Sequence, residues 1–87
     1  VYVKKEDFSG DPELFVWPTI VKEEFTVALN NDKSYTILLH NTIGTLLKIK
    51  ENCRYQTILN IGDLPPGIYI VTVFNDTFRK SIRLIKK

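Results

Sequence analysis

The chain has 87 residues, of which 44% are hydrophobic and 25% charged, and its formal net charge is +2. This length suffices for one small domain with its own core, and the balance of apolar and charged residues excludes a disordered tail. No apolar run approaches the roughly 18 residues that a membrane-spanning helix needs.

The start of the sequence predicts a linker. The chain begins at Val1 rather than Met and its first residues show no signal-peptide pattern. We therefore expect it to be the C-terminal piece of a longer protein. Residues 1–13, with a short strand over 1–4 and a Ser-Gly-Asp-Pro turn at 9–12, then form a linker or first strand leading from an upstream protein, and residues 14–87 form the domain.

Seven runs of strand-forming residues follow, and turn residues separate them. Alternation of apolar and polar residues supports strands rather than helices; for example, Phe25, Val27 and Leu29 share one face. The sequence therefore predicts an all-β, immunoglobulin-like β-sandwich of about seven antiparallel strands. The predicted strands cover residues 14–17, 24–29, 34–40, 45–50, 55–61, 67–74 and 78–86.

The stretch from Leu64 to Tyr69 predicts a tight corner before the penultimate strand. Pro65 and Pro66 restrict the backbone, and Gly67 releases the chain into the strand. A tyrosine two residues later can return its hydroxyl to the backbone just upstream, as in the tyrosine corner of immunoglobulin-like sandwiches. We therefore predict a structural role for Tyr69.

The last strand carries an excess of basic residues. Residues 1–43 have a net charge of −3 and residues 44–87 a net charge of +5. We predict that Phe78, Ile82 and Leu84 point inward and that the basic side chains point outward. Such a strand is either an edge strand kept soluble by its charges or a surface that an acidic partner recognises. The basic residues are Arg79, Lys80, Arg83, Lys86 and Lys87.

Few residues offer catalytic or metal-binding chemistry. His40 is predicted at a strand end and Cys53 in a later turn, and no third orienting group accompanies them. We predict no enzyme activity and no cofactor, a buried thiol at Cys53, and turn-forming rather than calcium-binding roles for the Asn and Asp residues of loops 30–32 and 74–78. The basic excess is too small to indicate nucleic-acid binding.

Aromatic residues leave a second class of function open. Trp17, with Tyr2 and Tyr55, is a candidate platform for stacking against a carbohydrate. Because Trp17 lies in the apolar run Leu-Phe-Val-Trp-Pro, packing in the core or at an edge is favoured over exposure.

Three blocks of residues occur in a distinctive order. Trp17 and Pro18 precede an amphipathic strand, Gly44 ends a turn that begins at Asn41, and a third block fits the pattern L-x-x-G-x-Y-x-V-x-V before the basic closing strand. From about residue 14 to residue 87 this order resembles the C-terminal sorting domain of cargo proteins of the type IX (Por) secretion system of Bacteroidota. Two departures stand out: Thr19-Ile20 replace an Asn-Pro pair, and Asn41 replaces an Asp. The third block is formed by Leu64, Gly67, Tyr69, Val71 and Val73.

The resemblance implies an export signal. Such a domain is recognised by the outer-membrane translocon after transit through the periplasm; a sortase-like peptidase often removes it, and the cargo is secreted or anchored at the cell surface. We would expect cleavage in the region 6–12. The candidate residues for recognition are Gly67, Tyr69, Arg79, Lys80, Arg83, Lys86 and Lys87. Those of the structural motif are Trp17, Pro18, Gly44, Leu64, Gly67 and Tyr69.

The alternative interpretation is a non-catalytic ligand-binding, carbohydrate-binding or adhesion module of a surface protein. It would depend on exposed aromatics rather than on the closing strand. Exposed strand edges would also permit a strand-mediated homodimer.

Overall fold

A computed structural model describes residues 14–30 and 32–87 of the chain. The predictions of a strand over 1–4, a turn at 9–12 and a cleavage region at 6–12, and the suggested role of Tyr2, fall outside these residues.

The described residues form strands and turns only. The strands are β1 (Leu14–Trp17), β2 (Ile20–Val21), β3 (Glu24–Leu29), β4 (Tyr35–Asn41), β5 (Leu46–Cys53), β6 (Gln56–Asn60), β7 (Gly67–Phe74) and β8 (Arg79–Lys86). Strands β1, β3 and β6 form a three-stranded sheet in the order β1-β3-β6. The others form a five-stranded sheet in the order β2-β8-β7-β4-β5. Within the described ranges, no helix is long and apolar enough to cross a membrane.

The core lies between the two sheets, where alternate residues of each strand meet. Phe25, Val27 and Leu29 of β3 are buried, as the alternation predicted, and so are Tyr35, Ile37 and Leu39 of β4. Val71 and Val73 of β7 and Leu84 of β8, which lie in the same five-stranded sheet as β4, complete the layer that faces β3. The prediction of an all-β sandwich is confirmed.

The strand count differs from the prediction at β2. After Pro18 the chain leaves the three-stranded sheet, and Ile20 and Val21 pair in parallel with Ile85 and Lys86 of β8. The N–H groups of Ile85 and Lys87 donate to the carbonyls of Thr19 and Val21, each at 2.8 Å. The described residues therefore contain eight strands, and one pair is parallel. A two-residue strand has no alternation to read, so the sequence pattern missed it.

The prediction that β5 ends at residue 50 and that Cys53 lies in a turn was wrong. Strand β5 continues through Cys53, which pairs with Tyr35 of β4. A register shift between Tyr35 and Ile37 accommodates an additional residue, and Asn52 adopts a positive φ of 57° there. Asn readily tolerates this conformation, so the Glu51-Asn52 pair marks a β-bulge inside the strand rather than its end.

Candidate recognition surface

The corner before β7 is built as the sequence predicted. The Tyr69 hydroxyl donates a hydrogen bond to the Pro65 carbonyl at 2.5 Å, while the Tyr69 side chain is 5% exposed. The Leu64 N–H donates to the Ile61 carbonyl at 3.0 Å, and the Leu64 side chain packs against the core. The predicted tyrosine corner is confirmed, and it fixes where β7 begins at Gly67.

The turn between β4 and β5 explains why Asn41 and Gly44 occur together. The Asn41 side-chain oxygen accepts hydrogen bonds from the N–H groups of Ile43 and Thr45 at 3.0 and 2.9 Å. The Gly44 N–H donates to the Asn41 carbonyl at 3.1 Å, and the φ of Gly44 is +99°. A side-chain carboxylate would accept the same bonds, so Asn41 serves where an Asp would. Gly44 is required because L-residues with a side chain rarely adopt this φ.

Trp17 does not pack in the core. Residues of β1 alternate between the core and the outer face of the three-stranded sheet, so Leu14 and Val16 pack inward while Phe15 and Trp17 face outward. Phe15 is 52% exposed and Trp17 46% exposed. Core packing of Trp17 was therefore a wrong prediction, although β1 does lie at a sheet edge. Pro18 is also exposed, and the Trp17–Pro18 peptide bond is cis.

The basic residues of β8 do not share one face. Arg79 and Arg83 point away from the core, as do Ser81 and Ile85. Lys80 alternates with them and lies on the inward side with Leu84, but it is exposed because it is near the end of the strand. The outward placement predicted for Lys86 was wrong. Lys86 is 8% exposed, and its Nζ donates to the Lys87 carbonyl at 3.0 Å. Its aliphatic stem follows the inward side of β8, and only its amine reaches the edge of the sandwich.

Only part of β8 is a free edge. One side of the strand pairs with β7 along its whole length. On the other side β2 pairs with Ile85 and Lys86, and among residues 14–30 and 32–87 no strand pairs with the stretch from Arg79 to Leu84. The predicted unpaired edge is therefore limited to the first part of the strand, next to Arg79 and Arg83.

The side chains of β7 and β8 also meet on the outer face. The guanidinium carbon of Arg79 lies 5.5 Å from the ring centre of Phe74, within the range of a cation–π contact. The hydroxyls of Thr72 and Ser81 lie 3.0 Å apart. The apolar residues of this face, among them Ile68 and Ile85, were not singled out from the sequence. The sequence signal for this apolar face was that apolar residues occupy both the inward and the outward positions of β7.

His40 and Cys53 do not come together. Cys53 pairs with Tyr35 and His40 pairs with Leu46, so the two side chains lie toward opposite ends of the β4–β5 pair, about 17 Å apart at ~3.4 Å per residue. Cys53 is 4% exposed, which confirms the predicted buried thiol. Among the residues that the structure describes, no cluster of three His, Cys, Asp or Glu side chains is arranged to hold a metal ion.

Asn75 has the turn-forming role predicted for the loop between β7 and β8. Its side-chain oxygen accepts hydrogen bonds from the Thr77 N–H at 2.8 Å and the Phe78 N–H at 3.3 Å. These bonds close the hairpin that brings β8 alongside β7.

Comparison with known protein families identifies the family of this chain. The family model described as the secretion system C-terminal sorting domain matches residues 15–87. The chain belongs to this family. The match spans every described strand from Phe15 onward and confirms the resemblance to the type IX sorting domains. The chain is thus a C-terminal sorting signal of type IX secretion. No curated protein matches the chain.

Proposed function

We propose that the domain directs an upstream cargo in the same chain to the type IX translocon, which exports that cargo across the outer membrane. The observation that carries this proposal is the family match over residues 15–87. The tyrosine corner and the Asn41–Gly44 turn support it, because both family blocks are present as folded turns.

The finer steps of this proposal are those that the resemblance to the family implies. The cargo passes through the periplasm, the domain is recognised at the outer membrane, and a sortase-like peptidase cuts within residues 6–12 before the cargo is released or anchored at the surface. In this proposal residues 1–13 link the cargo to the domain, and residues 14–87 act as a recognition module without catalytic activity.

The candidate recognition residues divide into exposed and buried ones. Arg79, Lys80, Arg83 and Lys87 are exposed and available to an acidic partner, whereas Lys86 and Tyr69 are buried. Gly67 and Tyr69 therefore contribute by holding the corner at the start of β7, and the exposed cations of β8 contribute directly. A partner strand added to the open stretch from Arg79 to Leu84 would pass beside these cations.

Export of a reporter tests the proposal. The 87-residue chain would be fused behind a signal peptide and a fluorescent protein, and expressed in a bacterium with the type IX machinery and in a matched strain lacking the translocon. We expect fluorescence at the surface or in the medium only where both chain and translocon are present. Periplasmic fluorescence in both strains would refute the proposal.

Point variants test the cations better than a truncation does, because removing the last residues would also remove the fully buried Leu84. The double variant Arg79→Gln/Lys87→Gln should lower export. The matched control Lys22→Gln/Lys50→Gln removes the same charge from exposed positions outside β8 and should leave export unchanged. Equal export from the two double variants would show that Arg79 and Lys87 do not contribute to recognition.

A carbohydrate-binding or adhesion role is the second candidate, and the exposure of Phe15 and Trp17 favours it. These side chains stand on the same outer face, two residues apart on β1 and hence about 7 Å along the strand. If they stack on a sugar, Phe15→Ala and Trp17→Ala would abolish retention on a glycan array and leave reporter export intact. Retention that is absent or insensitive to both substitutions would discard this function.

We also propose a homodimer in which the open strand edges of two copies pair with each other. Sedimentation of the purified chain over a range of concentrations tests it, and a concentration-independent monomer mass would exclude the dimer.

A further inference from the structure

The outer face of the five-stranded sheet carries a continuous row of isoleucines. Ile20 pairs with Ile85, and Ile85 pairs with Ile68, so the three side chains lie side by side across β2, β8 and β7. In the next row Ile70 pairs with His40, which in turn pairs with Leu46. We call this surface the isoleucine face; its members are Ile20, Ile68, Ile70, Ile85, Leu46 and Ile49.

The isoleucine face is unusually exposed for its composition. Ile20 is 55% exposed, Ile68 44%, Ile85 42%, Leu46 49% and Ile49 54%. An antiparallel sheet with one face in the core normally presents polar residues on the other. Contiguous exposed apolar residues of this kind mark an interaction site rather than a scatter of single side chains.

Strands β4, β7 and β8 carry only positive charges on this face; the acidic residue of the sheet's strands, Glu51, is exposed in the bulge of the edge strand β5. Arg83 pairs across from Ile70. Arg79 lies on the same face of β8 as Arg83, and its guanidinium lies over the ring of Phe74. The outward-facing residues of β4, β7 and β8 include these two arginines and no Asp or Glu. Arg binds carboxylates in a fixed bidentate geometry. The face therefore complements a surface that combines apolar groups with carboxylates.

The charges of the face argue against a dimer of this chain through it. Two copies packed face to face would each bring Arg79 and Arg83 into the contact, and like charges that face each other disfavour association. A partner that carries carboxylates removes this repulsion.

We propose that the isoleucine face docks on an apolar protein surface whose carboxylates meet Arg79 and Arg83. This inference rests on the proposed function, in which the partner is a component of the export machinery. It extends recognition from the exposed cations of β8 to the apolar sheet face beside them.

Photo-cross-linking from the two outer faces tests the docking face. Benzoylphenylalanine would replace Ile68 or Ile85 on the isoleucine face, and Gln56 or Ile58 on the outer face of the three-stranded sheet as exposed controls. Cells exporting the reporter fusion would be irradiated, and the cross-linked peptide identified by mass spectrometry. We expect positions 68 and 85 to cross-link one and the same protein, at a peptide with apolar residues and at least one Asp or Glu, and the control positions to give no such product.

Charge reversal ties the cross-link to the arginines. Arg83→Glu should lower the yield from position 85 about tenfold, and Arg83→Gln should lower it less. Changing the mapped carboxylate of the partner to Lys should restore the yield with Arg83→Glu. Thermal unfolding of each variant verifies that it folds, and the Gln variant carries the test if the Glu variant does not.

Three results would overturn the inference: equal cross-linking from both outer faces, cross-links to a lipid or to a second copy of this chain, and yields insensitive to both Arg83 substitutions. Export of the unsubstituted reporter fusion is scored separately. Normal export with no cross-link from positions 68 and 85 rejects the docking face and leaves the proposed function standing. If export is lost while the predicted cross-link is still found, the proposed function is rejected and the docking face is kept.

Discussion

Two buried tyrosines hold turns and strand ends together through their hydroxyl groups. Tyr69 bonds the Pro65 carbonyl four residues upstream. The Tyr35 hydroxyl lies 3.1 Å from both the Tyr55 carbonyl and the Thr57 hydroxyl, so it joins β4 to the start of β6 in the opposite sheet. A tyrosine can be buried at such a position because its ring packs in the core while its hydroxyl finds a partner.

The first prediction concerns Tyr69. Tyr69→Phe keeps the ring and removes the bond to Pro65, so the free energy of unfolding should fall by about 1 kcal/mol; the loss is modest because water can reach the exposed Pro65. Urea unfolding measures this loss. Tyr55→Phe is the control, since Tyr55 is 57% exposed. Equal losses in the two variants would contradict a specific corner bond.

The second prediction concerns pH and Tyr35. Burial raises the pKa of Tyr35 above its ordinary value of 10.0; the hydrogen bond with Thr57 lowers it, and electrostatic repulsion from Cys53 raises it. Above pH 10.0 the unfolded chain therefore loses this proton before the folded chain does, and stability should fall as pH rises. Urea unfolding at several pH values from about 9 to about 11.5 measures the slope. Tyr35→Phe should have a shallower slope, and an unchanged slope would assign the loss to other groups.

At the scale of the element, β8 serves both the fold and the proposed signal. Its inward residues include Leu84, which is fully buried, and its outward residues include Ile85 and both arginines. Strand β2 covers the last part of β8 through backbone hydrogen bonds. Stability and recognition can therefore be separated by choosing alternate residues of this one strand.

The third prediction uses this alternation. Leu84→Ala should lower the free energy of unfolding by about 2–5 kcal/mol because it leaves a cavity between the sheets. Ile85→Ala should cost under about 1 kcal/mol because its side chain faces outward. Thermal unfolding of both variants measures the difference, and similar costs would mean that the two faces of β8 are wrongly assigned.

At the scale of the molecule, the core is contained within residues 14–87. The fully buried core residues all lie between Val21 and Leu84, and Leu14 and Val16 pack against them. The family match covers nearly the same range, residues 15–87. The position of the core thus supports, without testing, the predicted boundary between a linker and a domain.

The fourth prediction follows from that boundary. A chain of residues 14–87 should unfold in one cooperative transition with the same midpoint as the 87-residue chain. Thermal unfolding followed by circular dichroism at two wavelengths measures both transitions. Loss of the cooperative transition on removing residues 1–13 would move the boundary toward the start of the chain.

Local patterns were enough to predict much of this protein. Alternating apolar residues located most of the strands, Gly44 and Asn41 marked a turn, and the spacing from Pro65 to Tyr69 predicted a bond that closes within four residues. Each of these features depends on neighbours in the chain, so the residues themselves specify it.

Contacts between distant residues decided the rest. Strand β2 exists only because Ile20 and Val21 meet the far end of the chain, and this pairing encloses the stem of Lys86. Trp17 and Ile85 face water because each lies on the outer face of its sheet. A run of apolar residues does not show which of them will face outward. The sequence determined the strands, the corner and the family, whereas the isoleucine face arose from pairing between strands far apart in the chain.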